Sequence, residues 1–179
     1  QRSTAVSRIN GCIGLNEIFV PRKVDVFAAD ATDHTERYGP VQPEWIDYNE
    51  HLTEYCYLKL FGDATDVVLA RIGAGMDYVA GGHSWYTVET HIRHLGQARL
   101  GEPVEVRTRV LAADAKRLHL FHEMTNLAHG AVIASAEHML VHVDAKAERS
   151  ASAPESIASA MRGLVQAQQH LAPPDGAGR

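Results

Sequence analysis

The sequence is poor in cysteine and has no long apolar run, and both absences exclude classes of protein. Only two cysteines, Cys12 and Cys56, occur among the 179 residues. They are too few for a disulfide framework, and neither lies in a C-x-x-C pair typical of a metal site. Since chains without disulfides are typical of reducing compartments, we expect a soluble, cytoplasmic protein. No apolar stretch approaches the roughly 20 residues of a membrane helix, and no apolar segment follows the N-terminal arginines as in a signal peptide.

The chain also lacks an excess of basic residues. Its 17 lysines and arginines are outnumbered by 22 acidic residues, which gives a formal net charge of -5. Nucleic acids and anionic membranes bind to concentrated positive charge, so we expect neither as a partner. Hydrophobic residues at 45% and charged residues at 22% are ordinary values for a globular domain. The sequence therefore predicts a folded domain that recognises something other than nucleic acid or a membrane.

The 11 histidines raise the question of a metal site. His138 and His142 would share a face of a strand but lie about 13 Å apart at the usual rise of a strand. Two other pairs lie three residues apart on predicted strands and so point to opposite faces, namely His91 with His94 and His119 with His122. No ligand cluster has suitable spacing. The sequence therefore predicts no metal.

The hydrophobic pattern predicts one long helix between extended segments. Residues 49–72 carry two apolar stripes at helical spacing, and a helix with two stripes is covered on most sides. Residues 37–46 are extended, because Pro40 and Pro43 bar a helix there. Four strand-like runs follow, at residues 84–95, 103–111, 117–124 and 132–143. The links between these runs are short, which favours antiparallel hairpins.

Together these elements predict an α+β protein in which a curved antiparallel sheet wraps around one long central helix, the arrangement of the hotdog fold. We place this domain at residues 35–150, after an N-terminal extension at residues 1–34 of uncertain structure. Residues 151–179 are predicted to form a helix and a disordered tail. Alternation in the first strand after the long helix predicts two faces, one with Tyr86, Val88 and Ile92 and the other with Glu89, His91 and Arg93.

A short polar stretch stands where the extended segment turns into the predicted helix. It contains Asp47, Asn49 and His51. The N-terminus of a helix has backbone N–H groups without intrahelical partners and a partial positive charge, which together suit a developing oxyanion. A carboxylate just upstream could act on a carbonyl held by these donors. The spacing equally allows a purely structural role, in which Asp47 or Asn49 caps the helix.

This stretch resembles the D-x-N-G-H motif of thioesterases related to 4-hydroxybenzoyl-CoA thioesterase, with matches at Asp47, Asn49 and His51. Tyr57 matches a tyrosine that is frequent in the first turns of the family's helix, and the resemblance extends over residues 37–144. It implies a hotdog acyl-CoA thioesterase. It also implies a homodimer or a dimer of dimers, with active sites at the subunit interface.

The same resemblance assigns roles to these residues. Asp47 would attack the thioester carbonyl or activate a water molecule, while Asn49 and His51 orient the loop or the substrate. Backbone amides within residues 50–54 would bind the oxyanion. Glu50 stands where the family usually has glycine, which permits close backbone approach and unusual φ/ψ angles. No cofactor is implied, because CoA is part of the substrate.

Two further runs, FGDATD at residues 61–66 and DAKRLHLFHEM at residues 114–124, are similar to betainyl-CoA thioesterases of carnitine breakdown. This similarity implies an acyl group with a quaternary ammonium, which aromatic faces and a carboxylate would bind. The candidate substrate-binding residues are Glu50, Glu54, Tyr57, Trp85, Tyr86 and Glu89, with Trp45 and Tyr48 as further aromatics. The basic candidates for binding the CoA phosphates are Arg93, Arg99, Lys116 and Arg117.

Two other functions stay open at this point. A hotdog hydratase of enoyl-CoA would resemble D-x-N-P-x-H, but here the histidine follows Asp47 by four residues rather than five and the proline is absent. A non-catalytic hotdog protein that binds acyl-CoA would tolerate Glu50 in place of glycine. Against these we predict hydrolysis of a small acyl-CoA, with betainyl-CoA as the leading substrate.

Overall fold

The computed structural model describes residues 34–178 of the chain. Its elements in chain order are β1 (His34–Pro40), a 3-10 turn (Pro43–Trp45), α1 (Glu54–Arg71), α2 (Met76–Ala80), β2 (His83–His94), β3 (Pro103–Ala113), β4 (Arg117–Asn126), β5 (Ala131–Asp144), β6 (Arg149–Ser150) and α3 (Glu155–Gln168). The predicted N-terminal extension, residues 1–34, lies outside the described residues except for His34, with which β1 begins. Within residues 34–178, no helix has the length and apolar character of a membrane-spanning segment.

The strands form one antiparallel sheet in the order β1-β3-β4-β5-β2, with β6 beside β5. The expected hairpins β3-β4 and β4-β5 are present. The expected hairpin between β2 and β3 is wrong, because β2 pairs with β5 at the far edge of the sheet. The link between β2 and β3 therefore crosses one end of the sheet. Gly96 N–H donates to Ile133 O on β5 at 2.9 Å, and Val41 N–H, just after β1, donates to Glu102 O at 2.9 Å.

Helix α1 packs on the inner face of this curled sheet, as the hotdog arrangement requires. Phe61, Ala64 and Val68 on its buried side have no exposed surface. The prediction that both apolar stripes are covered is only partly right, because Leu58 is 47% exposed and Tyr55 is 60% exposed. The sheet covers one side of α1, and α3 adds cover near its C-terminal end. One side of α1 therefore faces outward in the single chain.

The start of α1 also differs from the prediction. The helix begins at Glu54 rather than at residue 49, and Thr53 is its N-cap residue with an extended backbone. Ile46 and Leu52 form an antiparallel bridge that closes the residues between them into a loop. Residues held in such a bridge cannot also be helical. The expectation that Asp47 or Asn49 caps the helix is therefore wrong.

A β-bulge reverses the alternation predicted for β2. The register between β2 and β5 shifts between Thr87 and Glu89, which leaves Val88 as the extra residue. One extra residue changes which side chains share a face. Tyr86 therefore lies on the same face as Glu89, not on the opposite face. This is the outer face of the sheet, because the neighbouring Trp85 belongs to the inner core.

The C-terminal part of the chain forms the predicted helix, as α3, but not the predicted disordered tail. Residues 169–178, here called the C-terminal strap, lie on the outer face of the sheet. Arg109 donates hydrogen bonds to the carbonyl groups of Leu171 and Ala172. Gly178 N–H donates to the carboxylate of Glu137. The polar, glycine-rich composition suggested disorder, but side chains of the sheet bind the backbone of the strap at Leu171, Ala172, Asp175 and Gly178.

Four polar side chains form a cluster within the core, namely Thr65, Thr108, His122 and His138. The Thr65 hydroxyl donates to Phe61 O at 3.0 Å and lies 3.1 Å from His122 Nε2 and 3.2 Å from His138 Nδ1. Thr108 Oγ1 lies 2.9 Å from His122 Nδ1. One tautomer pattern satisfies all contacts, in which Thr65 accepts from both rings and Thr108 donates to His122. Burial lowers the pKa of both histidines, that of His138 to about 4, so both are neutral at pH 7.

Candidate active site

The residues that resemble a catalytic motif form a closed loop in front of α1. Asp47 N–H donates to His51 O at 2.9 Å, and Thr53 N–H donates to Trp45 O at 2.7 Å. Leu52 is 4% exposed, and its N–H donates to Ala98 O in the link between β2 and β3 at 2.8 Å. The loop is thus fixed both to the extended segment before it and to the end of the sheet.

The carboxylate of Asp47 organises the interior of this loop. Its Oδ1 accepts hydrogen bonds from Asn49 N–H at 2.8 Å and from His51 N–H at 3.2 Å. Its Oδ2 meets only the side-chain amide of Asn49, at 3.4 Å. Desolvation raises the pKa of Asp47, but the hydrogen bonds from His51 and Asn49 together outweigh it, so that the pKa lies below its usual value. Asp47 is therefore ionised at neutral pH, with one oxygen held and the other available.

Glu50 occupies the tight corner of the loop. Its φ angle of 63° lies in the left-handed region, and its N–H donates to Asp47 O at 3.1 Å. Glycine adopts this conformation at no steric cost, whereas a side chain with a Cβ atom is strained there. The position where the resembling family has glycine is thus one where the backbone favours it. The side chain of Glu50 is exposed.

Of the first-turn amides expected within residues 50–54, only that of Glu54 remains a candidate oxyanion donor, and the amide of Tyr55 lies one residue beyond that range. The N–H groups of Glu50, His51, Leu52 and Thr53 are already used by acceptors of the loop and its surroundings. Cys56 N–H donates to Thr53 O at 3.0 Å. Within the part of the chain that the structure describes, the N–H groups of Glu54 and Tyr55 have no protein acceptor. These two amides at the positive end of α1 are therefore the candidates for binding an oxyanion.

Tyr57 and His94 lie beside this loop. Tyr57 is 3% exposed, its hydroxyl donates to Gly96 O at 3.4 Å, and its ring meets His94 edge-on with centroids 4.9 Å apart. Burial raises the pKa of Tyr57, and the nearby charge of Asp47 raises it further. The structure thus brings Tyr57 close to Asp47, as expected of a substrate-binding residue, and adds His94, which the sequence did not single out.

Three other substrate-binding candidates do not join Asp47 within one chain. Trp85 packs edge-on against His142, with centroids 5.2 Å apart, in the core cluster around the C-terminal half of α1. Asp47 lies at the other end of that helix. Tyr86 and Glu89 lie on the outer face of β2, on the side of the sheet away from α1. A contact of these residues with a substrate at Asp47 would need a different chain.

The candidates for the CoA phosphates are also dispersed. Arg93 binds the C-terminal strap through Asp175. Arg117 pairs with Asp114 at 2.6 Å in the turn between β3 and β4, at the far end of the sheet from Asp47. Lys116 lies in the same turn. Of the four, Arg99 alone lies in the link between β2 and β3 that contacts the Asp47 loop.

Two alternative kinds of site, a metal centre and a reactive cysteine, were considered within residues 34–178. Among residues 34–178, no group of three or more histidine, cysteine, aspartate or glutamate side chains could hold a metal ion. Cys56 is buried and unpaired in the core, and burial raises the pKa of its thiol. A protonated, enclosed thiol is a poor nucleophile. Within the described residues, Asp47 and the two amides of α1 without protein acceptors are therefore the candidate groups for chemistry.

A curled antiparallel sheet around one helix, with an aspartate in the loop before that helix, is the arrangement of a hotdog-fold protein. The chain belongs to the thioesterase-like superfamily, whose sequence profile matches residues 41–161. The family and the hotdog fold predicted from the sequence are thus confirmed.

Individual relatives show to which members of this superfamily the chain is similar. The chain is 48% identical over 139 residues to an L-carnitine dehydrogenase/betainyl-CoA thioesterase of Rhizobium sp, a match that covers 78% of this chain and 28% of that protein. It is 40% identical over 141 residues to a betainyl-CoA thioesterase of Pseudomonas aeruginosa, covering 78% of this chain and 89% of that protein. A hypothetical protein of Staphylococcus aureus, solved in complex with CoA, superposes with a TM-score of 0.78 at 25% identity, over 86% of this chain and 96% of the other. The chain thus spans little more than a quarter of the Rhizobium relative's length but most of the other two.

Proposed function

We propose that this chain hydrolyses a small acyl-CoA thioester, with betainyl-CoA as the leading substrate and Asp47 as the catalytic carboxylate. The observation that carries the proposal is an ionised aspartate, whose Oδ2 meets only the side-chain amide of Asn49, in the loop directly before two backbone N–H groups without protein acceptors at the start of α1. The names of the Rhizobium and Pseudomonas relatives support the acyl group. The CoA complex of the Staphylococcus structure supports CoA as the carrier.

In the proposed reaction the thioester carbonyl oxygen lies against the N–H groups of Glu54 and Tyr55. Asp47 either attacks the carbonyl carbon or takes a proton from a water molecule that does so. The oxyanion is stabilised by donors that are already in place. Its collapse breaks the C–S bond, and the CoA thiolate leaves and is protonated to the thiol. In the direct route a water molecule then hydrolyses the anhydride on Asp47, so both routes yield the free acid and CoA.

Asn49 and His51 are assigned positioning roles. Both donate backbone N–H groups to Asp47 Oδ1, and Asn49 also contacts Oδ2 through its side chain. Asn49→Ala removes only the side-chain contact, so we expect a lower kcat with little change in KM. If the lost amide had bound substrate instead, KM would rise with kcat nearly constant.

The decisive experiment measures thiol release from a panel of acyl-CoA esters. We expect Asp47→Ala to lower kcat/KM for betainyl-CoA by about 10²–10⁴-fold, the usual range for loss of a positioned acid–base group. Asp144→Asn is a matched control, because Asp144 likewise accepts N–H groups of its own turn, from Lys146 and Ala147, at the far end of the sheet. Full activity in Asp47→Asn would refute the catalytic role. Tight acyl-CoA binding without turnover would instead favour the non-catalytic alternative.

The acyl group can be tested by a neutral isostere. In betainyl-CoA the cationic nitrogen is two bonds from the carbonyl carbon, so any group that reaches this carbon also lies near the cation. In 3,3-dimethylbutyryl-CoA a quaternary carbon replaces that nitrogen at nearly the same volume. A site that recognises charge should prefer betainyl-CoA by about tenfold or more in kcat/KM, because a carboxylate a few ångströms away attracts the cation. Equal values of kcat/KM for the two esters would show that the site recognises only the shape of the acyl group.

We propose further that β2 joins two copies of the chain. In the described residues β2 is the last strand of the sheet, and Tyr86 and Val88 are 54% and 60% exposed. An open edge of 12 residues is a template for another strand. Antiparallel pairing about a two-fold axis near Val88 would place the partner subunit's Trp85 beside Ile92, next to the site around His94. This would explain how Trp85 could serve a site that its own chain keeps distant.

The mass of the protein in solution tests the proposed dimer. We expect light scattering to give twice the chain mass of 19.6 kDa, or a multiple of that dimer. Val88→Asp would set two carboxylates against each other at the axis and should dissociate the pair. Leu127→Asp is the control, because Leu127 is 39% exposed in the turn after β4, away from β2. If the Val88→Asp variant is still a dimer, the edge of β2 is not the dimer interface. The expected cytoplasmic location and the absence of a cofactor remain predictions.

A further inference from the structure

His94 is the last residue of β2 and stands beside the candidate site. Its backbone pairs with Ala134 on β5, so the sheet fixes the position from which the side chain projects. Ile92, two residues earlier, packs against the core around α1, and alternation places His94 on the same face. The imidazole ring meets the ring of Tyr57 on α1 edge-on, with centroids 4.9 Å apart. A histidine on a rigid strand thus lies against the first turns of the helix.

Tyr57 connects this histidine to the Asp47 loop. Burial raises the pKa of Tyr57, a hydrogen bond from Ala98 N–H to its hydroxyl lowers it, and the nearby charge of Asp47 raises it. The carbonyl group of Ala98 in turn accepts the N–H of Leu52, at the end of the loop, at 2.8 Å. One tyrosine therefore contacts both the imidazole of His94 and the backbone that fixes the loop, and it lies within the field of Asp47.

The imidazole of His94 is exposed and has no polar partner. Among the described residues, neither of its nitrogens forms a hydrogen bond or an ion pair. By contrast, His119 pairs with Glu137 at 2.9 Å, and His142 Nε2 lies 2.6 Å from the Tyr78 hydroxyl. A general base must reach a water molecule with a free nitrogen, which an imidazole already bonded to protein groups does less well. His94 is thus available for proton transfer at the site.

The direct route of the proposed reaction has a step in which Asp47 cannot be the base. Once Asp47 has attacked the thioester, its carboxylate is part of the anhydride and is not available to a water molecule. His51 lies within the loop, close enough to Asp47 for its charge to act on the carboxylate. The water molecule that takes the place of the departed CoA sulfur needs a base outside the loop. Histidine is the side chain that most often serves as a general base.

We propose that His94 is the general base of the step that releases the acyl group from Asp47. The imidazole takes a proton from the water molecule as the water oxygen bonds to the carbonyl carbon of the acyl group. The bond between that carbon and the Asp47 oxygen then breaks, which frees the acid and regenerates the carboxylate. The imidazolium gives its proton to the CoA thiolate formed in the first step. Tyr57 is a positioning residue that holds the ring. This role rests on the proposed function, because it applies only where Asp47 is acylated.

Thiol release at high enzyme concentration tests this role, because CoA leaves before the acyl group does. With betainyl-CoA, the His94→Ala variant should release one CoA per site rapidly and then turn over about 10²–10⁴-fold more slowly than the parent, the usual range for a lost base. Added imidazole should restore turnover of this variant, because the position of the missing ring is open to solvent. His91→Ala is the matched control, since His91 is also exposed on β2 but pairs with Glu137 on the outer face. It should turn over like the parent and ignore imidazole.

The outcomes separate this role from the proposed function. A parent chain that releases no CoA from any ester would refute both. If the parent turns over and His94→Ala equals it, or loses the rapid release as well as the turnover, His94 is not the base. The same holds if His51→Ala shows the rapid release and the slow phase in place of His94→Ala. His94→Gln, which keeps a polar side chain of similar length, should repeat the result of His94→Ala and guards against failure of that variant to fold.

Discussion

Replacement of Glu50 tests whether the loop before α1 has the backbone described here. A residue with a Cβ atom at the observed φ of 63° costs about 1–2 kcal/mol relative to a relaxed conformation. Glycine removes that cost but loses about 0.5–1 kcal/mol through greater freedom in the unfolded chain. Glu50→Gly should therefore raise the free energy of unfolding by about 0.5–1 kcal/mol, the net of these two effects. In a domain of this size that corresponds to a Tm increase of roughly 1–4 °C.

Glu50→Ala is the matched control, because it removes the same charge but keeps the Cβ atom. Its Tm should stay at or below that of the parent chain, so the difference between glycine and alanine isolates the backbone conformation. Thermal unfolding followed by circular dichroism measures both variants under identical conditions. If glycine were no more stable than alanine, Glu50 would not be left-handed in solution, and the geometry assigned to Asp47 would lose its support.

The same pair of variants separates strain from charge in catalysis. The side chain of Glu50 is exposed and its backbone N–H, not its carboxylate, binds Asp47 O. Both variants should therefore change kcat by a similar small factor, within about threefold, as for surface changes away from reacting groups. A large gain in Glu50→Gly alone would show that the strained corner limits the reaction.

The buried histidine cluster gives two further predictions. Burial lowers the pKa of His138 from 6.5 in the unfolded chain to about 4 in the folded chain. The unfolded chain therefore binds a proton more readily than the folded chain. The contribution of His138 to the free energy of unfolding is complete above pH 6.5 and falls by about 3 kcal/mol as the pH drops towards 4. Urea unfolding at pH 7 and pH 5 should show this slope and a smaller one in His138→Gln; equal slopes would refute it. Thr65→Val removes the acceptor shared by both rings and should cost about 1–3 kcal/mol, while Thr65→Ser, which keeps the hydroxyl, should cost less.

Most of the fold could be predicted because its signals are local. Residues 84–95, 103–111, 117–124 and 132–143 all lie within the observed β2, β3, β4 and β5 to within a residue. The pairing of β2 with β5 could not be predicted, since it depends on the arrangement of the whole sheet and not on the sequence of either strand. The bulge at Val88 could not be predicted from the sequence, because a valine is equally suited to either face of a strand. An extra residue changes only the register.

The sequence predicts which residues form the loop of the candidate site, namely Asp47, Asn49 and His51, but not the local structure of that loop. The apolar spacing of Leu52 and Cys56 is helical, which extended the predicted helix back to residue 49. In the structure, Leu52 reaches the same core from a bridge with Ile46. His122 and His138 meet, with ring centroids 4.6 Å apart, because they lie on adjacent strands, and spacing along one strand cannot reveal that. Contacts between strands are the information that a single sequence lacks.

The loop and the helix act as one unit, and this bears on how Asp47 can work. Thr53 N–H binds Trp45 O on the far side of the loop, while Thr53 O accepts from Cys56 N–H in the first turn of α1. A shift of the helix would therefore break a bond of the loop, so the carboxylate and the free amides keep a fixed relation. The lowered pKa makes Asp47 a weak base. In the proposed reaction its contribution therefore comes mainly from position, because the loop holds an ionised oxygen close to the amides that would bind the carbonyl oxygen.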